Sequence, residues 1–361
     1  MILIDQRGMG HSQPGLFCND GELTDECRAR LVGNGVDLSQ FHTAAIADDI
    51  ELLRQSLGLD QINLFGFSYG TFLGQEILRR HPERIRSAVL DSCLPVAVAT
   101  TAEGGPGALA SFLNLIADCN SDPACRASYP EIENTLYAVL DRANTTPFEI
   151  LLDGETVSAG PSMLVTSVFM ALNSPSQINA IPKAIYDLAA GDVESTALAT
   201  VLRSESNNMP YLDSQGAKIS VKCHDILPFE TYIEAKQNNA SLNPYIASNY
   251  DLFALTGHTQ CQVWQVRAAD ASFHYPVQSD VPTLVLGGEY DSLTRSAWSE
   301  TVAATLSQSY YFSIPRTGHV TIQRDCPLEM AKSFLNNPSA VPNSSCLSEI
   351  RTSDFFELPS S

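Results

Sequence analysis

Apolar and polar positions divide the chain into three regions. Up to residue 96, short aliphatic runs alternate with stretches whose apolar residues recur every three to four positions. The short runs indicate buried strands and the periodic stretches indicate amphipathic helices. The predicted elements are strands at 2–4, 62–65 and 85–90 and helices at 43–58 and 71–80. Strands that alternate with helices predict a mostly parallel α/β sheet flanked by helices.

The pattern changes after residue 96. The following region holds few strand patterns, and its helical patterns are joined by Pro- and Asn-rich segments; they lie at 107–119, 130–142, 162–172 and 176–190. The α/β pattern then resumes, with strands at 283–286 and 309–314 and helices at 296–306 and 328–334. We therefore predict an α/β core formed by residues 1–96 and 277–361, and a largely helical cap inserted at 97–276.

The composition and net charge of the chain limit the kinds of molecule that it is expected to bind. The 361-residue chain is 44% hydrophobic and 17% charged, against about 25% charged in an average soluble domain, which indicates a large buried core. Its net charge of −20 repels nucleic acids and anionic membrane surfaces. The apolar part of the longest uncharged run, residues 163–172, is about half of the ~20 residues that a membrane span requires. We expect neither nucleic-acid nor membrane partners.

The chain has nine cysteines, and whether they pair indicates the cellular compartment in which the protein resides. The chain has no Cys-x-x-Cys pair and no histidine at zinc-finger spacing, so we expect no structural zinc site. Four pairings are suggested, with Cys93 left as a small core residue: Cys18–Cys27, Cys119–Cys125, Cys223–Cys261 and Cys326–Cys346. The alternative is that all nine are reduced and buried. Paired cysteines indicate an oxidising compartment, whereas no signal peptide is visible at the start of the chain.

The sequence Gly-Phe-Ser-Tyr-Gly at residues 66–70 joins a predicted strand to a predicted helix. A strand that turns sharply into a helix forces the turning residue into a strained conformation and exposes its hydroxyl at the carboxyl end of the sheet. We expect both glycines to leave room for that turn. Ser68 is thus a candidate nucleophile, and the backbone N–H of Tyr69, at the start of the helix, is a candidate oxyanion donor.

A serine nucleophile requires a base, and the base requires an acid that orients it. Asp291 and His319 each follow a predicted strand, and the chain order Ser, Asp, His is a known order for such triads. We predict that they form a triad with Ser68. Asp91, which also ends a strand, and Glu289 are the alternative acids. The other six histidines are interpreted as surface or structural residues: His11, His42, His81, His224, His258 and His274.

Several segments together resemble one known family. They are Asp-Gln-Arg-Gly-Met-Gly-His-Ser-Gln-Pro at 5–14, the turn at 66–71, the loops of Asp291 and His319, and the cysteine-containing segments at 118–125, 223–229, 261–264 and 326–346. Over essentially its whole length the chain resembles the proline iminopeptidases and tripeptidyl aminopeptidases, and the cysteine segments are similar to the secreted tripeptidyl-aminopeptidase branch. The resemblance implies the α/β-hydrolase fold and a serine exopeptidase activity.

The resemblance also implies individual roles. Ser68 would be the nucleophile, Asp291 the orienting acid and His319 the base. Members of this family hold the free N-terminal amine of the substrate with acids of the cap, and Asp225 and Glu230 lie in the matching stretch. Solvated cap surface is the alternative for these two residues. The net charge of −20 suits a cationic amine, and no metal or organic cofactor is implied.

The sequence departs from the family in one respect. The family carries a His-Gly-Gly-Pro-Gly loop, which gives the second oxyanion N–H, before its Asp-Gln-Arg-Gly strand. This chain starts at that strand, so we expect the first strands and the loop to be missing. Losing one oxyanion donor costs about 10²–10³ in rate. The Gly-Gly-Pro-Gly string at 104–107 is interpreted as a linker, because it follows the strand at 85–90. We expect a shortened member, whose upstream segment would also supply a signal peptide.

These observations lead to three hypotheses. The first is a periplasmic or extracellular serine exopeptidase that acts on peptides with a free N-terminus. The second is a carboxylesterase of the same fold, because fold and triad do not define the acyl group. The third is an inactive or peptide-binding homologue that lacks the glycine-rich oxyanion loop.

Overall fold

The computed structural model describes residues 1–203, 214–352 and 355–359. Its strands, in chain order, are β1 (Ile62–Phe67), β2 (Ile85–Asp91), β3 (Phe148–Leu152), β4 (Glu155–Ala159), β5 (Thr283–Gly288) and β6 (Ser309–Ile314). The central sheet has the order β1-β2-β5-β6 and is parallel throughout, while β3 and β4 form an antiparallel hairpin. The carboxyl ends of the four parallel strands therefore share one edge of the sheet, where the candidate residues lie.

Fifteen α-helices surround the two sheets within the described residues. Around the first two strands of the chain lie α1 (Thr24–Gly33), α2 (Thr43–Ser56) and α3 (Tyr69–Arg80). Between β2 and β5 the helices are α4 (Gly104–Ser121), α5 (Pro123–Ser128), α6 (Ile132–Thr145), α7 (Pro161–Ala171), α8 (Ile181–Ala190), α9 (Thr196–Leu202), α10 (Gln215–Val221), α11 (Tyr232–Asn239) and α12 (Pro244–Trp264). After β5 come α13 (Ser296–Ala303), α14 (Asp325–Asn336) and α15 (Leu347–Thr352). The α/β-hydrolase fold class predicted from the sequence is confirmed.

One face of the sheet is covered unevenly. Phe65 of β1, Val89 of β2, Leu284 of β5 and Tyr310 of β6 form a single row across the sheet. Val89 and Leu284 are fully buried in a cluster with Phe334 of α14, whereas Phe65 is 43% exposed. The helix that covers the inner strands thus leaves the same face of β1 open to solvent.

The predicted strand at residues 2–4 is wrong. Residues 1–6 have no regular secondary structure, and β1 is one of the two edge strands of the sheet. A strand requires a neighbour that takes up its backbone hydrogen bonds, and no described strand pairs with residues 2–4 or with the outer edge of β1. Instead, Ile2 and Leu3 are more than half exposed beside a groove of about 930 Å³, which Ile46 and Leu53 of α2 also line.

The region between β2 and β5 has its own hydrophobic cluster. Buried side chains of α4 to α9 and of the hairpin, such as Phe112, Leu136 and Phe148, pack together there. The helix patterns read from the sequence in this region agree with α4, α6, α7 and α8, but residues 104–107 form the first turn of α4 rather than a linker. The exact boundaries of the cap, 97 and 276, stay a prediction.

All four predicted cysteine pairs are disulfides in the structure: Cys18–Cys27, Cys119–Cys125, Cys223–Cys261 and Cys326–Cys346. Cys93 is a free, buried thiol, as predicted. The longest loop, which Cys223 and Cys261 close, is expected to gain roughly 4 kcal/mol in the chain-entropy description. None of the described helices has the length and hydropathy to cross a bilayer.

Candidate active site

Ser68 occupies the sharp turn between β1 and α3. Its backbone has φ 54° and ψ −127°, a conformation that side-chain-bearing residues rarely adopt. A Cβ on Gly66 would lie 2.4 Å from the carbonyl oxygen of Gly70, so only glycine fits at residue 66. At Gly70 a Cβ would meet no neighbouring atom. The expectation that both glycines make room therefore holds for Gly66 alone.

Asp291 lies directly after β5 and is fully buried. Its Oδ1 accepts hydrogen bonds from the backbone N–H of Leu293 at 2.9 Å and of Thr294 at 2.7 Å, and its Oδ2 accepts one from the Thr294 hydroxyl at 2.8 Å. Burial alone would raise the pKa of Asp291, but the charge of His319 and these hydrogen bonds hold it below its ordinary value. The carboxylate is therefore ionised at neutral pH.

His319 follows β6 and meets Asp291. Its Nδ1 lies 2.9 Å from Asp291 Oδ2 and 3.1 Å from the Thr294 hydroxyl. Burial lowers the pKa of His319, but the charge and hydrogen bond of Asp291 outweigh burial, so the pKa lies above its ordinary value. A Cβ on the preceding Gly318 would lie 2.0 Å from the carbonyl oxygen of Leu172, which shows how tightly the loop packs against the end of α7.

The alternative acids have other partners. The carboxylate of Asp91 accepts hydrogen bonds from Thr321 and Ile322, in the loop after His319. The carboxylate of Glu289 forms an ion pair with Arg351 of α15. Asp291 is thus the carboxylate hydrogen-bonded to the His319 ring. The hydroxyl of Ser68 makes no hydrogen bond within the described residues.

Tyr69 is the first residue of α3, so its backbone N–H belongs to the helix start. Its hydroxyl points away from the turn to the Thr43 hydroxyl, 3.0 Å distant at the start of α2. The Thr43 hydroxyl in turn donates to Asp225 at 2.7 Å. The side chain of Tyr69 thereby anchors the turn residue to a buried polar network.

Asp225 and Glu230 are both buried and both hydrogen-bonded within the chain. Asp225 lies in a short π-helix, Lys222–Ile226, and accepts from the backbone N–H of Thr43 at 2.8 Å, while its other oxygen lies 2.7 Å from His224 Nδ1. Glu230 accepts from the backbone N–H groups of residues 101 and 102, at 2.8 and 3.1 Å. Burial raises the pKa of Glu230 to about 7. Their predicted contact with a substrate amine stays a prediction.

Two groups of metal-ligating side chains occur in the described residues. In the first, Cys18, Glu22 and Cys27, both sulfurs are held in a disulfide. In the second, His42, His224 and Asp225, the two imidazole rings stack at 4.2 Å with an angle of 9° between their planes. An imidazole binds a metal in its own ring plane, so two parallel stacked rings do not converge on one ion.

Sequence reasoning missed two contributions to the site. Thr294 contacts both Asp291 and His319, and its place three residues after the aspartate is a spacing at which a carboxylate commonly accepts a backbone N–H. Asp91 binds a loop about 230 positions away along the chain, and no local pattern indicates such a contact.

Comparison with known proteins agrees with the fold. Residues 1–126 match the family described as α/β hydrolase fold, and residues 247–346 match the family described as TAP-like protein. The chain is an α/β hydrolase in fold. Together with the relatives described next, these matches confirm its resemblance to the proline iminopeptidases and tripeptidyl aminopeptidases.

Three relatives illustrate the resemblance. The serine protease Hip1 of Mycobacterium tuberculosis is 24% identical over 335 residues, which cover 81% of this chain and 64% of Hip1. The proline iminopeptidase of Neisseria gonorrhoeae is 30% identical over 108 residues, 29% of this chain and 28% of that protein. The tripeptidyl aminopeptidase of Streptomyces lividans is 29% identical over 113 residues, which cover 25% of this chain and 21% of that protein. The chain thus spans less than two thirds of the length of each.

Proposed function

We propose that this protein is a serine peptidase of the aminopeptidase type, which releases N-terminal residues or short peptides through an acyl-enzyme. The observation that carries the proposal is the buried Asp291 hydrogen-bonded to His319 Nδ1, on the same sheet edge where Ser68 occupies a strained turn. The names of the three relatives support peptides as the substrate class.

In this proposal the chemistry follows from the three side chains. The Ser68 hydroxyl attacks the scissile carbonyl carbon while Nε2 of His319 takes its proton, and the protonated imidazole then gives that proton to the leaving amine. Asp291, hydrogen-bonded to Nδ1, stays ionised and stabilises the imidazolium. Water then attacks the acyl-enzyme with His319 again as the base, and the product acid and free Ser68 result.

Two further features belong to the proposal. The backbone N–H of Tyr69, at the start of α3, stabilises the oxyanion. Asp225 and Glu230 are the candidates for attracting the substrate amine, and a contact with either would exchange one of their present hydrogen bonds for one from the ammonium group. Four disulfides favour a periplasmic or extracellular location.

The test compares four substrates with one covalent probe. A tripeptide p-nitroanilide, its N-acetylated form, an aminoacyl p-nitroanilide and a p-nitrophenyl ester are assayed side by side, and a fluorophosphonate probe is added to the parent and to S68A. We expect the probe to label the parent only, and the free-amine tripeptide anilide to be cleaved at least about ten times faster than its acetylated form, a difference of about 1.4 kcal/mol.

Each other outcome contradicts a stated part of the proposal. Equal cleavage of the acetylated anilide would exclude an aminopeptidase, and cleavage of the ester alone would indicate a carboxylesterase. A folded parent protein that the probe does not label would exclude serine hydrolase chemistry and favour an inactive or peptide-binding homologue.

A further inference from the structure

Asp91 is a buried carboxylate outside the proposed triad that contacts both halves of the site. It is the last residue of β2 and is fully buried between β1 and β5. Its backbone carbonyl accepts the N–H of Ser68 at 3.1 Å, so its main chain holds the nucleophile turn. Its side chain points to the other half of the site, the loop that carries His319.

The carboxylate of Asp91 takes up three donors of that loop. Oδ1 accepts the backbone N–H of Thr321 at 3.1 Å and its hydroxyl at 2.8 Å, and Oδ2 accepts the backbone N–H of Ile322 at 3.1 Å. The neighbouring Ser92 hydroxyl accepts the N–H of Val320 at 2.8 Å. Asp91 and Ser92 therefore fix three consecutive residues immediately after His319.

The loop needs such restraint because its backbone is strained. Val320 has φ 64° and ψ 79°, a left-handed conformation that β-branched residues strongly disfavour. Strained residues of this kind persist only where their surroundings hold them. Since Val320 adjoins His319, relaxation of its backbone would move the imidazole away from Asp291.

We propose that Asp91, assisted by Ser92, is a positioning residue that couples the Ser68 turn to the His319 loop and so keeps the base in reach of the nucleophile. The inference rests on the proposed function, because it assigns Asp91 a part in the same site. Asp91 does not touch the reacting atoms; it acts through its hydrogen bonds to residues 321 and 322 and through its charge, while Ser92 holds Val320.

The charge of Asp91 adds an independent signature. The ionisable groups that sense it are His319, whose pKa it raises, and the buried thiol of Cys93. Burial raises the pKa of Asp91 itself to about 6, so it is ionised at neutral pH. Removing this negative charge should lower the pKa of His319, an effect that a general loss of stability does not produce.

The experiment compares D91N, S92A and T321V with the parent and with D122N. Asp122 is the matched control, because its Oδ1 also accepts two backbone N–H groups, at 2.8 and 3.0 Å, but at the start of α5. In D91N we expect kcat to fall by about 10–100-fold, as displacement of a catalytic group by about 1 Å can cost, with KM changed less than threefold. The acidic limb of the kcat profile should shift to lower pH. S92A and T321V should show smaller losses of kcat, and D122N none.

Two results would overturn the inference: a folded D91N with the kcat and acidic limb of the parent, or losses in D122N equal to those in D91N. Should D91N fail to fold, S92A and T321V decide, because they keep the charge of Asp91 and remove only hydroxyl hydrogen bonds that restrain the loop. Parent kcat in both would contradict the inference. Should the parent itself prove unreactive, the proposed function fails. The pKa of the His319 ring, measured by NMR in the parent and D91N, then decides the inference: a lower value in D91N supports it and an equal value rejects it.

Discussion

The two sides of the central sheet place the same kind of residue in different surroundings. In the row Phe67, Asp91, Leu286 and Phe312, the residues of β2 and β5 are fully buried, whereas Phe67 of β1 is 50% exposed. Helix α14 covers β2, β5 and β6 on this face, and no described strand or helix continues the sheet beyond β1. Both β1 and β6 are edge strands, but this face of β6 packs against α14, whereas the same face of β1 is open to solvent.

This difference separates the two parts of the site. Asp291 follows the inner strand β5, and His319 follows β6, which packs on this face in the cluster of α14. The two residues meet through a buried hydrogen bond. Ser68 follows β1, whose phenylalanines on this face are exposed. Its turn is held by the hydrogen bond from its N–H to the Asp91 carbonyl, by the close approach of Gly66 to Gly70 and by the start of α3. Asp91 joins these two parts, because its carbonyl accepts the Ser68 N–H and its carboxylate accepts the N–H of Thr321 in the loop after His319.

The largest expected effect tests the buried side. The substitution D291N keeps the shape of the acid but removes the charge that orients His319, and we expect kcat to fall by about 10⁴, as such a change does in serine proteases. Steady-state kinetics on the free-amine tripeptide anilide measure it. The matched control is E289Q, two residues away, whose parent side chain pairs with Arg351 at the surface.

The control should lose less than a few-fold in kcat. The reverse pattern, a severe loss in E289Q and a mild one in D291N, would assign the orienting acid to Glu289 and show that the Asp291–His319 hydrogen bond is not used in catalysis.

A second prediction tests the unequal burial of one row of the sheet. Phe65 and Leu284 flank Val89 in the same row, but the Leu284 side chain is fully buried and the Phe65 side chain is partly exposed. L284A should lower the free energy of unfolding by about 2–5 kcal/mol, as expected for a fully buried leucine. F65A should cost about 1 kcal/mol or less, because Phe65 is already 43% exposed.

Urea unfolding followed by circular dichroism measures both variants. Equal losses would mean that another chain segment or another copy covers β1 in solution, which would contradict the open edge. A gain in solubility of F65A over the parent would agree with an exposed apolar edge.

The sequence predicted each strand of the parallel sheet but wrongly added one at residues 2–4. The strand at 309–314 agrees with β6 in both bounds, and the loops of Asp291 and His319 follow strands as expected. The strand β5 contains a continuous apolar run, because an inner parallel strand is covered on both faces. The strand at residues 2–4 has the same apolar pattern but no partner, and a strand's existence depends on its neighbour rather than on its own residues.

Other features were missed for different reasons. The hairpin β3–β4 is absent from the predicted elements, although Asp-Gly at residues 153–154 is a typical hairpin turn. Helix α1 has too few apolar positions for a helical pattern, and its buried Cys27 and Leu31 pack in a cluster with Trp264 of α12. The contacts of Asp91 with residues 321 and 322 join positions that only the folded chain brings together.

The smallest expected effect concerns how far hydrogen bonds and nearby charges offset the burial of a carboxylate. The charge of His319 and several hydrogen bonds keep the pKa of Asp291 below its ordinary value. Burial, in contrast, raises the pKa of Glu230 to about 7. Between pH 4.5, the ordinary value for Glu, and pH 7, folded Glu230 keeps a proton that the unfolded chain has lost. The free energy of unfolding therefore falls as pH rises through this window, by on the order of 3 kcal/mol at most. E230Q removes that contribution.

Urea unfolding of the parent and E230Q at pH 4.5, 5.5, 6.5 and 7.5 measures the difference. Asp91 contributes a fall of the same sign below about pH 6 in both proteins, so the gap between their profiles isolates Glu230. We expect the profile of E230Q to be flatter, and that of E234Q, a change at an exposed glutamate of α11, to follow the parent. Parallel profiles for the parent and E230Q would show that the hydrogen bonds from residues 100–102 compensate Glu230 as fully as Thr294 and His319 compensate Asp291, and the contrast between the two carboxylates would disappear.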